Sequence, residues 1–163
     1  GFVVLGLLAT TETGLSGAVL QMFSHGIIAG LLFAVVGRMV YARTHTMDLK
    51  ELQWMNLRAQ LPFASTLFLL AGIASIGLPG FSGFVSEAMI FIGAFPVFKT
   101  VVIISTLGIL LNAAYFLWAF QRMFFGPANE KYNELPEINS REVLTLVPLN
   151  LVILIIYLIR LLC

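Results

Sequence analysis

The sequence predicts an all-α membrane protein, a polytopic bundle of transmembrane helices in which one helix is discontinuous. Hydrophobic residues make up 60% of the 163 and charged residues only 10%, far from the roughly 45–50% and 25% of a soluble domain. Apolar runs long enough to span a bilayer, which takes about 20 helical residues, recur between short charged or turn-rich stretches. Inside one of them, Ile76-Gly77-Leu78-Pro79-Gly80-Phe81-Ser82-Gly83 sets glycines and a proline where a helix interior tolerates them poorly.

In chain order, residues 1–10 are apolar but too short to cross a bilayer, and read as the tail of an earlier span. A polar turn over residues 11–14 leads into a span over residues 17–40. That span carries Gln21, Ser24 and His25. Gln21 and His25 stand four residues apart and share a helix face. Beside them Gly26-Ile27-Ile28-Ala29-Gly30 has the small-xxx-small spacing that lets helices approach closely, which predicts that the histidine face packs on another helix.

Residues 38–60 hold Arg38, Arg43, His45, Asp48, Lys50, Glu51 and Arg58 around Trp54, an aqueous or interfacial connection. Asp48-Leu49-Lys50-Glu51 has capping-box spacing and predicts a short interfacial helix. Residues 61–95 form the next apolar segment, opened by Pro62 in a first-turn position and broken near 77–83 at Gly77, Pro79, Gly80 and Gly83. Residues 97–124 are a further span carrying Thr106, Asn112 and Tyr115. A polar loop with two prolines precedes a last span over residues 142–163. The chain begins without an initiating Met or a basic leader and ends in an apolar run, so it is expected to be part of a longer polytopic protein.

Orientation follows from basic residues, which accumulate on cytoplasmic loops. Arg38, Arg43, Lys50, Arg58, Arg122, Lys131 and Arg141 fall on one side, against Lys99 and Arg160 on the other. The loops around Trp54 and Tyr132 are therefore expected to face the cytoplasm or an organellar matrix. A net charge of +1 with no basic run excludes a nucleic-acid surface. Cys163 is the single cysteine, so neither an internal disulfide nor a cysteine metal site is available. His25 and His45 make no ligand set, and no nucleophile–base arrangement is visible.

The chemistry concentrates at Glu87, about one turn beyond Gly83 and surrounded in its own helix by apolar residues. Broken backbone at membrane depth survives only where protein buries it or water reaches it, and an ionisable side chain there is expensive and functional by default. At 1.5 Å per residue, Glu87 and His25 both fall near the midplane of their spans. Burial works against the charged form of either group. A cation arriving about 4 Å away counters it by about 4 kcal/mol at an effective dielectric constant of about 20, so moving charge could load and unload the carboxylate.

Plainer roles stand beside these. Glu87 could be a permanently protonated residue bonded to Ser82, Ser86 or a carbonyl freed by the break. His25 could serve as a neutral interhelical hydrogen bond, and Asn112 as polar glue rather than part of a water wire. Lys99, near a helix end, could simply snorkel. His45 belongs with the solvated loop charges.

Several stretches together carry a family resemblance: Gly14-Leu15-Ser16-Gly17-Ala18-Val19-Leu20-Gln21-Met22 running into Ser24-His25-Gly26; Arg43-Thr44-His45-Thr46; Gly77-Leu78-Pro79-Gly80; and Gly83-Phe84-Val85-Ser86-Glu87. In that order they resemble the antiporter-like membrane subunits of proton-pumping NADH:quinone oxidoreductase, respiratory complex I, most closely the chain M or subunit 4 type. The resemblance implies a fourteen-helix fold built on two inverted five-helix repeats, each with a broken helix, of which this chain would supply the end of the second repeat and the last helix.

It also implies proton translocation, with Glu87 as the exit-side carrier and His25 on a central hydrophilic axis supported by Gln21, Ser82, Ser86, Asn112 and Lys99. Electron transfer would occur elsewhere: NADH, FMN, iron–sulfur clusters and quinone are expected in partner subunits and none in this chain. The implied partners are the other membrane and peripheral subunits of complex I, the lipid bilayer, protons and water. The implied location is a bacterial cytoplasmic membrane or, alternatively, an organellar inner membrane. Related sodium/proton antiporter subunits of the Mrp type, the alternative function, usually carry lysine at the position of Glu87. Ala88, where a larger apolar residue is common, is a small departure.

Overall fold

The computed structural model describes residues 1–53, 55–127, 135, 136 and 139–162, and is helical wherever these residues have regular structure. The regions expected around Trp54 and Tyr132 to define sidedness fall in part on residues outside this set.

A short helix α1 (Phe2–Ala9) turns into α2 (Glu12–Ala34), which continues without a stop through a π-helical segment (Val35–Tyr41) and α3 (Ala42–Thr44). The expected turn at 11–14 is tighter than its composition implied. Thr10 takes a left-handed conformation and Thr11 caps the helix, its Oγ1 accepting from the Gly14 N–H at 3.1 Å. Gly14 is therefore already helical. Residues 12–44 and 99–124 are long and apolar enough, by length and composition, to cross a membrane.

In the polar connection, α4 (Leu49–Leu52) is capped by Asp48, whose Oδ1 accepts from the Lys50 N–H at 2.9 Å. The capping box is half made: the Asp48 N–H donates to Thr46 Oγ1 at 3.2 Å rather than to Glu51. A single turn α5 (Leu57–Gln60) precedes α6 (Pro62–Ile76), which begins on its proline. After the non-helical residues 77–81 come α7 (Ser82–Ala94), α8 (Lys99–Phe124) and α9 (Ser140–Leu162).

Helix α2 lies against α7 in its first half and against α6 in its second. Glycine sets the first contact. A Cβ on Gly17 would meet the Ile90 backbone N at 2.8 Å, and one on Gly93 would meet the Gly14 N at 2.3 Å. Thr11 Oγ1 also donates to the Gly93 carbonyl at 3.0 Å. The pairings Gly14 with Gly93, Gly17 with Ile90, and Gln21 with Ser86 advance on one helix as they retreat on the other, so α2 and α7 are antiparallel. Gly26 and Gly30, by contrast, have nothing within 4 Å of a Cβ among the described residues. The close-packing glycines are thus one stretch earlier than the small-xxx-small spacing suggested, because that spacing does not reveal which helix face meets a neighbour.

Beyond the tight contact, Ile28, Leu31, Val35 and Met39 of the long helix bury against Leu67, Phe68 and Ala71 of α6. An aromatic stack joins α6 to α8, with Phe68 5.3 Å from Phe116 and 5.4 Å from Phe124 between ring centroids. Arg43 then ties the end of α3 to α9. Its Nη1 and Nη2 donate to the two carboxylate oxygens of Glu142 at 3.1 and 2.7 Å, and it also donates to the carbonyls of Met39 and Pro136.

Candidate functional site: a carboxylate at a helix interruption

The interruption is built by local chain chemistry. Gly77 ends α6 in the left-handed region at φ 76°. Its N–H donates to the Ala74 carbonyl at 3.3 Å, and the Leu78 N–H reaches back to the Ile73 carbonyl at 3.4 Å. These two bonds are the Schellman pattern, which stops a helix on glycine because an L side chain is strained there. Pro79 follows and cannot rejoin the ladder, Gly80 takes φ 109°, and Phe81 is extended before α7 begins. Gly83 lets the first turn of α7 come up against the last turn of α6, since a Cβ there would lie 2.5 Å from the Ala74 carbonyl oxygen.

Glu87, in the second turn of α7, is buried at 7% exposure. Its carboxylate folds back on the interruption: a Cβ on Gly77 would stand 2.4 Å from Oε2. Gly77 thus serves twice, accepting a left-handed backbone and leaving the space the carboxylate occupies. Gln21 on α2 lines the same cavity as that carboxylate. Gln21 Oε1 accepts from Ser86 Oγ, which ties α2 to α7 beside the acid.

Gln21, His25, Glu87 and Asn112 line one cavity of about 200 Å3, together with Phe2, Ser75 and Tyr115. His25 is exposed at its rim rather than packed against another helix among the described residues. Asn112 enters from α8, its Nδ2 donating to the Ser75 carbonyl at 2.9 Å. That carbonyl belongs to the last turn of α6, where the helix no longer supplies a donor, so Asn112 joins two helices while facing the cavity.

Other expected members of the polar axis stand differently. Ser86 bonds to Gln21 and lies within reach of the Ser82 and Gly83 carbonyls, and Ser82 Oγ has no hydrogen-bond partner among the described residues. Neither hydroxyl is hydrogen-bonded to Glu87, the partner expected for it. Lys99 stands apart from this cavity. It sits exposed in the first turn of α8 with Nζ 5.7 Å from the Phe95 ring centroid, about 20 Å along the helix from Asn112 at 1.5 Å per residue. His45 is exposed, edge-on to Tyr41. Three contributors were not singled out from sequence: the Ser75 carbonyl, Tyr115, and the buried Ser24 hydroxyl, which lacks a partner among the described residues and stands near Gly83 in the α2–α7 register. A polar residue on an apolar helix flagged the last two only generically.

Fold and site define a helical membrane protein in which a buried carboxylate lies between the end of one helix and the start of the next and lines, with an imidazole, one small cavity. The family described as "NADH:quinone oxidoreductase/Mrp antiporter, TM" matches residues 1–112. The chain belongs to that family. It is 40% identical to NAD(P)H-quinone oxidoreductase chain 4 2 of Synechococcus sp. (strain JA-2-3B'a(2-13)), covering 88% of this chain and 28% of the relative. To NADH-quinone oxidoreductase subunit M of Rhodobacter capsulatus it is 37% identical, covering 91% of this chain and 29% of the relative.

Among solved structures it superposes on a chain of respiratory complex I from Thermus thermophilus with bound NADH, with a TM-score of 0.86 and 27% identity over 96% of this chain and 32% of that one. The chain therefore spans under a third of the length of these relatives. The resemblance to the chain M or subunit 4 type agrees with their names.

Proposed function

We propose that this chain forms part of a proton-translocating membrane subunit of a complex I-type NADH:quinone oxidoreductase, in which Glu87 loads and releases a proton and His25 relays it. Helices α6 and α7 would be the halves of one discontinuous span in a fourteen-helix fold, with the interruption admitting water. Residues 1–10, 17–40, 97–124 and 142–163 would belong to the other spans, in a bacterial cytoplasmic membrane. The partners would be the remaining membrane and peripheral subunits, with flavin, iron–sulfur and quinone chemistry confined to them.

The observation that carries this reading is the placement of the Glu87 carboxylate on Gly77, facing the cavity that His25 and Asn112 also line. Buried carboxylates at membrane depth mark ion pathways more often than they serve packing. The names of the relatives favour complex I over the Mrp-type antiporter, and co-purification with iron–sulfur subunits distinguishes the two. The direct test is Glu87→Gln in the assembled complex, with NADH oxidation and vesicle acidification measured together. Gln keeps the size and most hydrogen bonding while removing titration, so the expected result is a fall in protons moved per NADH. An unchanged ratio would make Glu87 a structural acid and overturn the reading.

A further inference from the structure

We propose that the cleft at the end of α8 binds the headgroup of an anionic phospholipid. The cleft, of about 360 Å3, is lined by Gln53, Trp118, Gln121, Arg122 and Phe125. The Arg122 guanidinium lies over Trp118, 4.3 Å from the ring centroid, and that of Arg58 lies over Phe125 at 4.8 Å. Stacking engages the flat face of a guanidinium and leaves its in-plane N–H donors free for a phosphate. Neither arginine has a carboxylate partner among the described residues, where the ion pair is Arg43 with Glu142.

A phosphodiester suits this arrangement, because its two non-bridging oxygens match a guanidinium fork. The amides of Gln53 and Gln121 offer donors to the neighbouring ester and glycerol oxygens. Depth separates a lipid from a free anion. Helix α8 has 26 residues, about 39 Å at 1.5 Å per residue, which exceeds a hydrocarbon core about 30 Å thick. Its last turns therefore emerge at headgroup level, with Trp118 where interfacial aromatics collect.

Leading away from the cleft, α8 exposes Leu117, Leu111, Leu110 and Leu107, an apolar bed for acyl chains. The cleft is also on the basic side of the chain, the side that meets anionic leaflets. The negative end of the α8 dipole opposes an anion, but it is a fraction of one charge against two guanidiniums.

The test uses the assembled complex in nanodiscs of phosphatidylcholine with a minor fraction of photoactivatable phosphatidylglycerol, followed by peptide mapping of the crosslinks. Label is expected on the peptide spanning residues 118–127, and its apparent affinity should fall about 30-fold in the Arg58→Gln/Arg122→Gln variant and about fivefold in each single variant. The corresponding Lys pair should fall between wild type and the Gln pair, because an ammonium keeps the charge but makes no fork. If the double variant does not assemble, the single variants decide. Unchanged labelling in the Gln variants overturns the proposal, as does equal labelling by a phosphatidylcholine probe. Full displacement by inorganic phosphate would make the site a free-anion site and overturn it as well.

Discussion

Gly77→Ala strikes the backbone and the acid at one point. Alanine in the left-handed region costs about 1–2 kcal/mol. Its Cβ would lie 2.4 Å from Glu87 Oε2, about 1 Å inside the 3.4 Å at which ordinary contact begins, so the carboxylate must move or a further overpacking cost of about 1–3 kcal/mol accrues. Gly80→Ala separates the two effects. Gly80 also has positive φ, at 109°, yet nothing lies within 4 Å of a Cβ there, so it brings backbone strain without touching the acid.

Both variants should lower the thermal stability of the solubilised complex, and Gly77→Ala alone should lower protons moved per NADH in vesicles. Adding Glu87→Asp to Gly77→Ala withdraws the carboxylate by one methylene. The pair should therefore be less destabilised than the sum of its single changes, with a coupling of about 1 kcal/mol. Strict additivity, or equal loss of pumping in Gly80→Ala at matched stability, would refute the seating of Glu87 on Gly77.

Other substitutions test the frame around that seat. Gly93→Ala drives a methyl against the Gly14 backbone, which cannot rotate away, and should cost about 1–3 kcal/mol in thermal unfolding, whereas Gly26→Ala, in open space, should be neutral or gain up to about 1 kcal/mol of helix propensity. Glu142→Gln leaves the largely buried Arg43 without its charged fork partner and should destabilise by about 3 kcal/mol, measured in the same assay; Arg43→Lys should lose part of this because an ammonium makes no fork. Asn112→Leu strips the donor from the Ser75 carbonyl and should cost about 0.6–1 kcal/mol, in line with interhelical hydrogen bonds in membranes.

The end of α6 and the start of α7 were legible because they are written in local chemistry: glycine at a left-handed position and a proline just beyond act on neighbouring peptide units. Pro62 as a helix opener was legible for the same reason. What the local pattern leaves open is which face turns inward. Gly14 and Gly17 meet α7 while Gly26 and Gly30 meet nothing described, although all four are small residues on one helix. Hydroxyl partners are equally open: Ser86 is next to Glu87 in sequence, yet its hydroxyl bonds across the helix pair to Gln21. Charge near a span also misleads about depth. Lys99 lies on the same helix as Asn112, but the helix itself carries it about 20 Å away. The pairing of Arg43 with Glu142 joins positions 99 residues apart, and no motif announced it.

The α2–α7 contact also restricts where a proton could travel. On one side of Glu87 the two helices touch backbone to backbone at Gly14, Gly17 and Gly93, with Ile90 fully buried between them. Ile90 fills that contact and the Gly93 carbonyl is already taken by Thr11 Oγ1, so a water chain would find few of the two to four polar partners each buried water requires. On the other side the helices meet through the side chains of Gln21 and Ser86, and the cavity there is also lined by Asn112 and by Tyr115, which is 63% exposed. On the proposed function, a proton leaving Glu87 would therefore move laterally past α8 rather than straight along α2. The same glycines that bring the helices together would close the short route, and Gly17→Ala, by prising that contact apart, should raise passive proton leak in vesicles without NADH. A seal elsewhere in the protein would leave the leak unchanged, and the lateral route would then lose its physical basis.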